Sequence, residues 1–174
     1  MKTVIETERL ILREMIPGDV DDMLRLHSDP EVQKYTGENI ITSRKEIKEK
    51  IKLLRKQNYE THGFGRWVTI LKEGMQFVGW AGVKYLPEFD EIDLGYRFLK
   101  EHWGKGIATE ASKAILEYAF NDLNLNRIIA IAMLDNKASI RVIEKVGMQF
   151  YKYAPYEPGE EDVAWYYLGQ PPIT

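Results

Sequence analysis

Residues 93–111 read DLGYRFLKEHWGKGIATEA, from Asp93 to Ala111. Their alternation predicts a strand over Ile92–Leu99. Ile92, Leu94, Tyr96 and Phe98 fall on one face, and Asp93, Gly95, Arg97 and Leu99 on the other. The triplet Gly104-Lys105-Gly106 then breaks the chain. A helix follows directly and runs to about Asn121, with Ile107, Ala111, Ala114, Ile115, Tyr118 and Ala119 on its apolar face. A strand that passes through a glycine turn into a helix start presents unpaired N–H groups and a partial positive charge, which suits a phosphate or pyrophosphate. The triplet alone also fits a tight turn with no ligand. No G-x-x-x-x-G-K-[ST] string occurs, so a Walker A loop is excluded. A G-x-G-x-x-G dinucleotide loop fails at its last position, which is Thr109. Asp135, after the next strand, nevertheless has the spacing of a ribose-binding acid.

Downstream, Arg127–Met133 (RIIAIAM) is apolar on both faces, as a central strand covered on two sides would be. Asn136–Val146 reads as a helix with Ile140, Ile143 and Val146 inward and Gly147 just past its end. Asn136 and Ser139 open that helix at the carboxyl edge of the sheet, where ligands collect in open α/β sheets. Simple capping by Asn136 explains the same residues. Phe150–Tyr153 and Val163–Leu168 are the last strands.

Upstream, a strand falls around Leu10–Arg13, followed by a helix whose stripe is Val20, Met23, Leu24 and His27. Asp29-Pro30 ends it. A second helix spans about Ser43–Tyr59, opened by the capping-box pair Ser43 and Glu46, with Ile47, Ile51 and Leu54 inward. His62-Gly63-Phe64-Gly65 is a break, and Arg66–Leu71 with Gln76–Tyr85 reads as a hairpin. The order β α α β β β α β α β β predicts one α/β domain over residues 1–174: a mixed α+β sheet with helices on both faces.

Composition narrows the function. The 174-residue chain has no cysteine and a formal charge of −3. Disulfides, thiolate nucleophiles and cysteine-held metals are excluded, and the acidic balance argues against nucleic acid. Charges interrupt the N-terminus and no apolar run approaches a membrane span, so a soluble cytoplasmic protein is expected. No two histidines have metal-ligand spacing and no G-x-S-x-G elbow is present, so no metal site is expected. His27 lies on an apolar stripe and reads as a packed or boundary histidine. Trp67, Trp80, Trp165, Tyr166 and Tyr167 read as core rather than a substrate cage. The acidic clusters Asp19, Asp21, Asp22 and Glu88, Asp90, Glu91 read as solvated loops before they read as attractants for a cation.

Three segments in order, Thr7–Leu24 (TERLILREMIPGDVDDML), Gly95–Ala111 and Asn136–Met148 (NKASIRVIEKVGM), resemble the GNAT superfamily of N-acetyltransferases, most closely its RimJ/RimL-like branch. The resemblance runs from Thr7 to Leu168. The superfamily's pyrophosphate pattern [QR]-x-x-G-x-[GA] falls on Trp103-Gly104-Lys105-Gly106-Ile107-Ala108, with Trp103 in place of Gln or Arg, a form familiar in that branch. The resemblance implies acetyl-CoA as acetyl donor. Binding is then expected at Phe98, Leu99, Trp103, Gly104, Lys105, Gly106, Ile107, Ala108, Thr109, Asn136 and Ser139. It further implies that Ile92–Leu99 and Arg127–Met133 splay apart around the pantetheine.

Amine acetylation needs a proton acceptor, an oxyanion donor and help for the leaving thiolate. Asp93 aligns with a glutamate that several family members use as base. Glu157, Glu160 and Glu161 in the late loop are rivals. N–H groups near Phe98–Leu99 are the expected oxyanion donors. The tyrosine that many members use at the thiolate is replaced here by Ile143. Ser139 matches the serine that the RimJ/RimL-like branch offers instead, and Asn136 would hold the pantetheine amide. The acceptor is open among protein N-termini, polyamines, aminoglycosides and amino acids. A silent acyl-CoA-sensing module of the same fold is the alternative.

Overall fold

The computed structural model describes residues 2–171. Eight strands form one sheet: β1 (Thr3–Glu6), β2 (Leu10–Arg13), β3 (Arg66–Leu71), β4 (Gln76–Leu86), β5 (Glu91–Phe98), β6 (Arg127–Met133), β7 (Gln149–Pro155) and β8 (Asp162–Gly169). Their spatial order is β1-β2-β3-β4-β5-β6-β8-β7. Every neighbouring pair is antiparallel except β5 and β6, which run parallel. The chain therefore crosses from β5 to β6 through a helix, α4 (Ile107–Asn121).

Helices cover both faces. On one side α4 buries Ile107, Ala111, Ile115, Leu116 and Ala119 in the main core, and α5 (Lys137–Lys145) adds Ile143. On the other, α1 (Val20–Ser28) and α3 (Arg44–Leu54) bury Val20, Met23, Leu26, Ile47 and Ile51 against Val68, Ile70 and Leu99. β6 is clad on two sides. Ile128, Ala130 and Ala132 face the main core, while Ile129 and Ile131 meet Leu86, Phe89 and Trp165.

The structure adds elements that the pattern had not indicated. β1 buries only Ile5. The first long helix stops at Ser28, and a single-turn helix, α2 (Pro30–Gln33), starts at once. Pro30 sits at its first position, and the Asp29 carboxylate accepts the Glu31 N–H at 2.9 Å. The helix expected over Ser43–Tyr59 is α-helical only to Leu54 and continues as a π-turn over Arg55–Glu60. Asp19 is not a solvated acid. It is buried, takes a two-pronged bond from Arg13 at 2.8 and 2.6 Å, and accepts the Ile16 N–H at 2.7 Å. The second acidic cluster is also engaged: Glu88 with Tyr156 at 2.6 Å, Asp90 with Tyr85 at 2.9 Å, and Glu91 with Arg127 at 2.9 Å.

Candidate active site

The parallel seam is where the sheet opens. β5 and β6 keep a single paired register, Asp93 with Ile129. The Leu99 N–H donates to the Val78 carbonyl at 2.9 Å. Hydrogen-bonding direction alternates along an antiparallel pair, so the N–H groups of Phe98 and Tyr96 point away from β4 and toward β6. Past Asp93 that side of β5 has no strand to receive them. A cavity of about 550 Å³ fills the gap, with the glycine turn on one wall and the start of α5 on the other.

The glycine turn is open where a ligand would need it. Gly104 has φ 72° and nothing within 4 Å of where a Cβ would stand. Gly106, the residue before α4, has φ 77° and meets only the end of the Arg9 side chain, at 3.5 Å. Both are left-handed positions that a side chain disfavours. Arg9 fastens this turn: Nη1 donates to the Lys105 carbonyl at 3.0 Å and Nε to Glu110 at 2.6 Å. Trp103 is half exposed, and its Nε1 donates to the Phe98 carbonyl at 2.8 Å. The indole thus braces the turn against β5 and leaves the Phe98 N–H free.

On the opposite wall, Asn136 Oδ1 accepts the Ser139 N–H at 3.1 Å, a helix cap that spares the Asn136 amide nitrogen. Ser139 Oγ lies 2.9 Å from the hydroxyl of Tyr96, which burial pushes up to about 12. Ile143 is buried in the core and brings no hydroxyl. Phe98, Trp103, Gly104, Gly106, Ile107, Ala108, Thr109, Asn136 and Ser139 therefore border one cavity.

Six expected residues stand elsewhere. Leu99 does not border the cavity: its N–H is taken by Val78 and its side chain lies in the core under α1 and α3. Lys105 offers its carbonyl to Arg9, and its exposed side chain lies outside the cavity. Asp93 lies just behind the wall, paired with Arg66 Nη2. Burial raises its pKa, and the Arg66 guanidinium opposes that shift. Glu157, Glu160 and Glu161 occupy an exposed loop away from the cavity.

The cavity wraps round β5 to the face that α1 covers, which no local sequence motif marks. Trp80 borders it and is not simply core. Arg97, beside Trp80 in the register, has its guanidinium 5.2 Å from the indole centre. Arg97 Nη1 contacts His27 Nδ1 at 2.9 Å and Glu38 at 3.1 Å, and Glu38 also takes Lys50 at 2.9 Å. Strand alternation puts Arg97 on the face shared with Asp93, Gly95 and Leu99, and nothing local in the sequence marks this network.

A family model described as "Acetyltransferase (GNAT) domain" matches residues 9–149. The chain belongs to the GNAT acetyltransferase family. This N-acetyltransferase is 34% identical over 144 residues to the uncharacterized N-acetyltransferase p20 of Bacillus licheniformis, covering 82% of this chain and 80% of that protein. Its fold is similar to the GNAT-family acetyltransferase structure from Bacillus anthracis, with a TM-score of 0.80, 28% identity and coverage of 95% and 97%. The fold likeness extends to RimL, the ribosomal L7/L12 α-N-protein acetyltransferase in complex with coenzyme A, with a TM-score of 0.81, 18% identity and coverage of 97% and 98%.

Proposed function

We propose that this acetyltransferase moves an acetyl group from acetyl-CoA to a primary amine by direct attack within a ternary complex, in the cytoplasm. The observation that carries the reading is the open seam. The β5 edge, the open glycine turn at the start of α4 and the Asn136–Ser139 pair border one cavity that continues to the far face of the sheet. The glycine turn is a fit for a pyrophosphate, since a side chain at Gly104 or Gly106 would be strained, the space at Gly104 is open, and only the cationic end of Arg9 approaches Gly106. Backbone groups of β5 and the Asn136 amide would hold an extended pantetheine.

The residues divide the chemistry. The Phe98 N–H would donate to the thioester carbonyl oxygen as it gains charge. Asp93, one residue from the wall and with a raised pKa, would take the ammonium proton through a water. As the nitrogen–carbon bond forms and the carbon–sulfur bond breaks, Ser139 would donate to the departing sulfur. The amine would approach from the Trp80 face, opposite the glycine turn.

Thiol release from acetyl-CoA against a panel of amines tests the reading, run beside the melting temperature with and without acetyl-CoA. A ligand that binds only the folded state raises that temperature. Turnover with at least one amine supports transfer. A rise in melting temperature with no turnover would replace it with an acyl-CoA-sensing module.

A further inference from the structure

The second end of the cavity contains a charge that the proposed transfer does not use. Arg97 is 7% exposed, yet only one of its three guanidinium nitrogens is bonded among the described residues. Nη1 serves both His27 and Glu38, and Nε is buried with no partner. Nε is sealed from solvent, so the end open to a carboxylate is Nη1–Nη2, where Nη2 is unbonded and Nη1 is held by Glu38.

The neighbours leave the charge in surplus. His27 is neutral, its pKa lowered to about 3 by burial and by Arg97 itself. Glu38 is shared between Arg97 and Lys50, so one carboxylate faces two cations. The nearby Arg66 is matched by Asp93. Trp80, Val32, Tyr35 and Thr36 border the same end of the cavity with Glu31, whose carboxylate is paired with Lys100 at 3.4 Å. A site for a polyamine would place unpaired carboxylates here, and the structure places an incompletely paired arginine.

We infer that this end of the cavity is an anion subsite: Arg97 receives a carboxylate carried by the acceptor, so the preferred acceptors are amino-carboxylates. This rests on the proposed amine acetylation and adds a substrate class to it. Glu38 then acts as the stand-in carboxylate that Arg97 holds until the acceptor arrives.

The test compares matched amines that differ only in the carboxylate: phenylalanine with phenethylamine, tryptophan with tryptamine, lysine with cadaverine. For the wild type, kcat/KM is expected to favour the carboxylate member of a pair by 10-fold or more. In Arg97→Gln the ratio should fall to within about 3-fold, while Arg97→Lys keeps part of it. Glu38→Gln frees the guanidinium and should lower KM for the carboxylate member alone, a gain that misfolding would not produce. A wild type that prefers the amines lacking a carboxylate, or a ratio that Arg97→Gln leaves unchanged, overturns the subsite. If no amine is acetylated, the transfer reading fails separately. The subsite is then judged by melting temperature with CoA present, where equal shifts from N-acetylphenylalanine and N-acetylphenethylamine overturn it.

Discussion

Replacing His27 by asparagine should flatten the acid side of the stability curve. His27 is 1% exposed, and its Nδ1 lies 2.9 Å from Arg97 Nη1 and 3.2 Å from Gln33 Nε2, both donors. The ring proton must then sit on Nε2, which has no partner among the described residues. Burial first, then the Arg97 and Lys50 charges, push the pKa from 6.5 to about 3, and Glu38 only partly opposes them. In the unfolded chain the ring protonates below about 6.5, while the native ring stays neutral until about 3. The unfolded state thus binds more protons, and native stability falls as the pH drops through that window. From pH 7 to pH 5 the loss from this one group is about 2 kcal/mol. For a chain of this size that is roughly 4–8 °C in melting temperature. Glu38, whose pKa is lowered to about 2 chiefly against burial by Arg97 and Lys50, loses its contribution only as the pH falls from 4.5 toward 2, below the measured range. Asparagine can present an acceptor near the Nδ1 position and does not titrate. Melting curves of the wild type and His27→Asn between pH 5 and pH 8 should therefore diverge, with the variant losing about 4–8 °C less on acidification. Parallel curves would refute the idea that a neutral His27 is held by Arg97.

Three further outcomes are expected. Gly106→Ala places a side chain at φ 77°. It should cost about 1–2 kcal/mol and abolish most of the melting-temperature rise given by acetyl-CoA, read by thermal shift. Ser139→Ala should lower kcat by about 10–100-fold with little change in KM for acetyl-CoA, because its bond to the departing sulfur strengthens only in the transition state. An unchanged kcat leaves Ser139 as a helix-start residue beside Tyr96. Asp93→Asn removes a proton acceptor whose pKa burial raises. Its kcat/KM should fall by about 100-fold near neutral pH, and the deficit should shrink toward pH 9.5, where free amine accumulates. A deficit independent of pH assigns the loss to the orphaned Arg66 instead.

Much of the architecture was legible because it rests on period. α4, β6 and α5 carry long apolar patterns whose burial follows from the pattern itself. β1 and α2 have four residues each, too few for a period to show. The glycine turn and the Asn136–Ser139 cap were readable for the same reason: each is local, built from residues within a turn of one another. The acceptor side was not. Arg97 meets His27 and Glu38 across separations of 70 and 59 residues, and on the other wall the Arg9 brace of the glycine turn spans 96. No short-range pattern records such pairs. Asp93 shows the converse. Its strand face was legible, but the arginine that claims its carboxylate lies on β3, brought near by the β3–β4–β5 meander.

The broken seam also bears on association between molecules. Beyond the rung at Asp93 and Ile129, β5 and β6 each turn unpaired backbone groups toward the other, so this sheet has two edges in its middle as well as at β1 and β7. An exposed edge invites strands from other chains and with them aggregation. Here the inner edges face each other across about 550 Å³, a volume on the scale of one small molecule and too small for a hairpin from a neighbour. The proposed extended pantetheine, with amide groups along its length, would complete the ladder. The backbone chemistry that makes an outer edge sticky becomes, once enclosed, a filter on shape.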